Sequence, residues 1–188
     1  MTLINSKTIQ KYQNGNITAF KHIYNQLSPL IYNLIYNIVN NPRDAESLTQ
    51  NVFTTLFKTR KKYKPTIKFS IWAYRIAANH ALNAASHHRF HFKTSSVTIQ
   101  PKDKTDISEP TEPSNTPPLT HVLATLPNDQ RLTLILREFD ELSYHDISGI
   151  LNVKLNTLKD QINRAKHTFK RAAINYKAME YENKSTRS

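Results

Sequence analysis

The chain has 188 residues, no cysteine, two glycines and a net charge of +12. Disulfides and thiolate metal sites are therefore excluded, and Gly15 and Gly149 stand too far apart for a phosphate-cradling glycine loop. The charge is uneven: Met1 to Lys93 carries thirteen Lys and Arg against two acids, an excess that suits a polyanion such as nucleic acid.

Residues 1–17 are polar and are expected to fray as a flexible N-terminus. The opening MTLINSKTIQ lacks the apolar core of an export signal, and no apolar run reaches membrane-spanning length, so no membrane insertion and a cytoplasmic location are expected. From Thr18 the apolar positions Phe20, Ile23, Tyr24 and Leu27 have helical spacing, which resumes after Pro29 through Leu30, Leu34, Ile35 and Ile38. Pro29 predicts a kink or a new helix start. Asn40-Asn41-Pro42 predicts a turn, with Pro42 at the first position of a helix running to about Arg60 that buries Ala45, Leu48, Val52 and Leu56. A basic loop, KKYKPTIKF, follows, and Ser70 opens a helix that fades near His88.

Residues 93–120 are rich in Pro, Ser and Thr and cannot bury enough apolar surface to offset ordering, so a flexible linker is expected. Two domains that fold independently, 18–92 and 121–178, with a flexible tail at 179–188, are the corresponding expectation. In the rear part, Ser143 followed by Asp146 starts a short helix with Ile147, Ile150 and Leu151 on one face. Asn152 stops it, and Asn156 or Thr157 caps a second helix with an apolar stripe of Leu158, Ile162, Ala165, Phe169, Ala173 and Tyr176. Ser148 is small enough for the two helices to approach closely. A short helix, a tight turn and a longer helix with cations and amides on its free face spell a helix-turn-helix.

The rear residues Leu126, Pro127, Gln130, Arg131, Leu134 to Arg137, Leu142-Ser143-Tyr144 and Asn163 to Lys166 resemble region 4 of bacterial RNA polymerase sigma factors of the sigma-70 family. The front residues Ala19-Phe20, Pro29, Asn41-Pro42, Asp44-Ala45-Glu46, Leu48, Gln50, Val52-Phe53, Phe69, Trp72, Tyr74 to Ala77 and Asn79 resemble sigma region 2. With one linker between the two, the chain resembles the compact extracytoplasmic-function (ECF) subfamily. It departs from the family at Asn152 and Asn156, where Gly is usual, at Asp160-Gln161, at Ala78 and Asn83, and at Ser47 and Asn51, where further acids are common.

The resemblance implies an all-α protein of two small helical domains that directs core RNA polymerase to promoters and helps open the strands, with no catalytic site, no cofactor and no metal. The rival reading is a stand-alone helix-turn-helix regulator with the front half as an oligomerisation module. The implied partners are the polymerase clamp coiled coil and flap, promoter DNA as duplex and single strand, and room is left for an anti-sigma factor. Lys154, Asn156, Thr157, Lys159, Asp160, Asn163, Arg164 and Lys166 are the expected minus-35 contacts. Tyr63, Lys64, Lys68, Phe69, Trp72, Arg75 and Asn79 are expected at the minus-10 element, although Trp72 also fits a core position. Asp44, Glu46, Leu48, Gln50, Asn51 and Phe53 are expected to hold the clamp. Asp103, Asp106, Glu109 and Glu112 would mimic nucleic acid in the linker, and His87, His88 and His91 read as a basic patch beside DNA rather than a metal set.

Overall fold

A computed structural model describes residues 4–94 and 119–185, all of whose regular structure is helical. The side chains of 87–94, including His87, His88 and His91, and the linker acids Asp103, Asp106, Glu109 and Glu112 lie outside the described residues.

The front half holds α1 (Ser6–Gln13), α2 (Ile17–Val39), α3 (Pro42–Thr59) and α4 (Phe69–Thr94). Contrary to expectation, the polar N-terminus forms a helix: Asn5 accepts from the amide of Thr8 as its cap, and Tyr12 is wholly buried with its hydroxyl on the Leu56 carbonyl at 2.6 Å. One buried aromatic, missed among polar neighbours, anchors the segment. Pro29 neither ends nor restarts α2, which runs through it. The flanking turns carry the apolar face of Ile23, Leu27, Ile31, Leu34 and Ile35, all fully buried, and burial of one such side chain contributes about 1.5–3 kcal/mol. That sum outweighs the backbone bond the proline removes. Asn40, in the left-handed region at φ 53°, closes α2, and Asn41 accepts from the amides of Arg43 and Asp44 to open α3 behind Pro42.

The rear half holds α5 (Leu119–Thr125), α6 (Asn128–Leu134) with a π-type last turn (Ile135–Phe139), α7 (Tyr144–Leu151) and α8 (Leu155–Ser185). α8 continues well into the stretch expected to be a loose tail.

The two helical domains pack against each other. Buried residues from the front helices and Leu132, Ile135, Leu136, Leu142, Ile147, Ile150, Leu158 and Ile162 of the rear form one continuous apolar cluster. α4 packs on α7 and α6, and α2 packs on α5 and α6. Arg131, only 6% exposed, binds the halves by polar contact: its guanidinium donates to the carbonyls of Ile38, Ala124 and Leu126, at the C-terminal ends of α2 and α5. A fixed cation suits those positions because the helix dipole leaves negative charge there. Periodicity reads each helix alone and does not reveal that α4 has apolar positions on two sides.

A chain cut at a protease site inserted between residues 95 and 118 should therefore elute from a sizing column as one particle. Arg131→Met, which leaves three carbonyls without their donor, should lower unfolding free energy by about 3 kcal/mol in urea titration.

Candidate nucleic-acid interface

The rear hairpin is set by short-range bonds. The Ser143 hydroxyl accepts from the Asp146 amide at 3.1 Å and starts α7, and Asn152 ends it at φ 55°. The Ser148 hydroxyl donates to the Val153 carbonyl at 2.6 Å, so this residue fastens the turn rather than simply sparing space. α8 begins at Leu155, one or two residues before the expected cap, with the Lys154 carbonyl accepting from the Leu158 amide. Leu158, Ile162 and Ala165 are buried. Lys154, Asn156, Thr157, Lys159, Asp160, Asn163, Arg164 and Lys166 are all exposed, spread around the solvent side of α8 and the turn before it. Lys166 also pairs with Glu138 at 2.9 Å, an exposed pair worth under about 1 kcal/mol.

The front set divides. Tyr63 and Phe69, expected to be open to bases, are 5% and 3% exposed and belong to an aromatic cluster with Tyr12 and Trp72. A short loop brings both rings over the end of the front core, and burying them there is more favourable than leaving them in water. Trp72 is half-buried against the cluster, between its two expected roles. What the loop and α4 present outward is Lys64, Lys68 and Asn79, with Arg75 half-buried.

Two of these cations are engaged by the rear half. Lys68 Nζ lies 3.2 Å from an Asp146 carboxylate oxygen, and Arg75 Nε donates to the Gly149 carbonyl at 3.0 Å. Gly149 makes the approach possible, since a Cβ there would stand 3.2 Å from Ile71 Cγ2. Tyr74 on α4 meets Asp140 at the same seam; burial pushes the Asp140 carboxyl up from 3.8 to about 6, and the hydrogen bond to Tyr74 opposes that rise. Burial, with Asp140 beside it, also holds the Tyr74 phenol well above its ordinary range. Asp140 does not stand out in the sequence and Asp146 does so only as a first-turn acid of α7, because a single acid gives no sign of a partner some seventy residues away.

On α3, Glu46, Gln50 and Asn51 are exposed and Asp44 and Leu48 are half-buried. Phe53 departs from the expected clamp face: it is 3% exposed, with its ring 4.5 Å from that of Tyr24, because at its helical phase it points toward α2.

The family model for Sigma-70 region 2 matches residues 23–90, and that for Sigma-70 region 4 matches residues 118–168. The chain belongs to the sigma-70 family. The ECF RNA polymerase sigma factor SigW of Bacillus subtilis is 27% identical over 91% of this chain and 97% of its own length. The RNA polymerase sigma-H factor of Pseudomonas aeruginosa is 26% identical over 87% and 91%. These relatives put the sigma factor in the ECF subfamily, a family of transcription-initiation factors. Among solved structures, CnrH in complex with the cytosolic domain of CnrY superposes with a TM-score of 0.66 at 14% identity, covering 87% of this chain and 92% of that one. RpoE of Bartonella quintana, solved with the anti-sigma factor NepR, gives 0.63 at 18%, covering 81% and 95%. Both share the fold. No helix among the described residues is long and apolar enough to cross a membrane.

The sign of the Asp140 effect is fixed by its raised value. Its neutral form is favoured in the packed state, so its stabilising contribution is full below 3.8 and is lost as pH rises through about 6. Asp140→Asn should be more thermostable than wild type at pH 7.5, with the difference vanishing toward pH 4, in paired melting curves.

Proposed function

We propose that this sigma factor works as a two-site promoter reader that becomes competent only on core RNA polymerase. The free face of α8, from Lys154 to Lys166, enters the major groove at the minus-35 element. Asp160 is suited to accept from a cytosine amino group. Lys64, Lys68, Arg75 and Asn79, with the exposed edge of Trp72, hold the single strand of the minus-10 element. Tyr63 and Phe69 act from beneath, as the floor that supports the loop. The exposed and half-buried side chains of α3, Asp44, Glu46, Leu48, Gln50 and Asn51, hold the polymerase clamp, and Phe53 supports them from inside. The flap is the proposed partner of the rear domain, and an anti-sigma factor, such as the one recorded with the Bartonella quintana protein, is a further proposed partner. The chain directs an enzyme rather than being one, and it acts in the cytoplasm, where promoter and polymerase are.

One observation carries the dependence on polymerase: Lys68 and Arg75 are already engaged by α7. A strand that needs those cations must displace Asp146 and the Gly149 carbonyl, so the free chain is a poor reader and opening must be driven by a partner that holds the halves apart. The stand-alone regulator does not account for a front half of the region 2 fold.

Three measurements test this reading. In run-off transcription with core enzyme, Leu48→Asp together with Gln50→Ala should abolish core binding, whereas Lys64→Ala with Lys68→Ala should spare it and block opening. Lys159→Ala and Arg164→Ala should each weaken minus-35 binding by the holoenzyme by about 1–3 kcal/mol if they read bases. Gly149→Leu, which forces a side chain into Ile71, should raise the affinity of the free protein for single-stranded minus-10 DNA. Tight, sequence-specific duplex binding by the free wild type, unchanged by core enzyme, would sink the proposal.

A further inference from the structure

We propose that the corner joining the π-type turn of α6 to α7 is a proton-operated latch: with Asp140 uncharged α7 stays on α4, and ionisation of Asp140 lets α7 lift and uncover Lys68 and Arg75. The proposal rests on the reading above, in which those two cations serve single-stranded DNA, and adds to it what sets the ease of opening.

The corner is held by its own bonds. The Asp140 amide donates to the Ile135 carbonyl at 3.0 Å, the Leu142 amide to the Leu136 carbonyl at 3.1 Å, and Arg137 Nη1 to the Leu142 carbonyl at 2.9 Å. Between them Glu141 takes φ 51°, left-handed backbone that asparagine tolerates at Asn40 and Asn152 and that strains a glutamate. A chain bent this tightly leaves Asp140 little freedom to turn away. Its carboxyl is delivered to the seam against Tyr74 of α4, where Oδ2 is buried with no hydrogen-bond partner.

Among the described residues, the cations around this carboxyl are committed elsewhere. On its own turn, Arg137 lies over the Tyr144 ring and is bonded to Leu142, while Glu138 is paired with Lys166 of α8. On α7, Asp146 holds Lys68 and His145 is exposed. On α4, Arg75 is bonded to the Gly149 carbonyl. On α6, Arg131 is bonded to three carbonyls and Asp129 is exposed, and α2 carries no charged residue from Ser28 to Val39. An ionised Asp140 therefore meets one phenol and apolar neighbours, and it regains water when the helices separate. Burial lifts this carboxyl from 3.8 to about 6 in the closed form, so its contribution to closure is complete below 3.8 and is lost as pH rises through about 6. The proton thus sets how much work core polymerase must do to part the halves.

The experiment uses the full chain without core enzyme. Because the protein has no cysteine, Ile71→Cys supplies a single thiol beneath Gly149, reached when α7 leaves α4. Its labelling rate, divided at each pH by that of the urea-unfolded chain, should rise about tenfold from pH ~5 to pH ~8. Affinity for a random-sequence single-stranded oligonucleotide at constant ionic strength should rise in step, because apparent affinity follows the competent fraction. On the same background, Asp140→Asn should hold both curves flat at their low-pH level. Tyr74→Phe, which removes the bond favouring the ionised acid, should move their midpoint upward. His145→Gln should leave them unchanged. A labelling rate independent of pH would overturn the proposal, and so would curves that survive Asp140→Asn or vanish with His145→Gln. Labelling that rises with pH while oligonucleotide affinity stays level would instead overturn the reading of α7 as cover of a strand site, and with it the role of the latch in DNA binding.

Discussion

The packing of α7 against α4 is the contact on which the rest of this structure turns. α4 uses Ala73, Ala77 and Ala81 among its buried positions, small side chains that bring neighbouring helices close, while Ile71, Tyr74 and Arg75 meet the rear half. Gly149 allows that meeting because it offers no side chain where Ile71 stands. Once the backbones are close, the Gly149 carbonyl comes within reach of Arg75, Asp146 of Lys68 and Asp140 of Tyr74. The apolar contact and the polar contacts thus share one geometric cause, and a change that separates the helices removes all of them together.

A second consequence concerns division of labour among aromatic residues. Tyr12, Tyr63, Phe69 and Trp72 form a cluster in which only Trp72 keeps substantial exposure. The cluster gives a short, highly charged loop a rigid base, and it leaves cations, an amide and one indole edge at the surface. The shape of the loop depends on buried residues, because a loop of repelling lysines has no intrinsic reason to keep one shape.

Most of the local architecture was legible in the sequence. The Asn40-Asn41-Pro42 turn, Ser143 and Asn152 act within a few residues, so their types identify them, whereas the Asn16 cap of α2 lay in a stretch expected to fray. The free face of α8 was legible for the same reason: periodicity separates Leu158, Ile162 and Ala165 from the cations between them. What was not legible depends on distance. Tyr12 in a polar segment, the burial of Tyr63, Phe69 and Phe53, and the pairing of Lys68 with Asp146 all arise from elements remote in sequence. Composition marks Tyr63 and Phe69 as aromatics beside lysines, a pattern that equally fits a stacking platform and the roof of a core, and only tertiary contacts separate those readings.

The Lys68–Asp146 pair changes what ionic strength reports. Binding of a polyanion is usually driven in part by the release of condensed cations, one for each phosphate that meets a positive side chain. In the binding mode proposed above, a phosphate arriving at Lys68 replaces a carboxylate already in place, and the freed Asp146 then gathers a cation from solution. The exchange of one anion for another releases almost nothing there. On that proposal, the fall of affinity with added salt will count one phosphate fewer than the protein touches, and the missing one marks the carboxylate its own rear half had supplied.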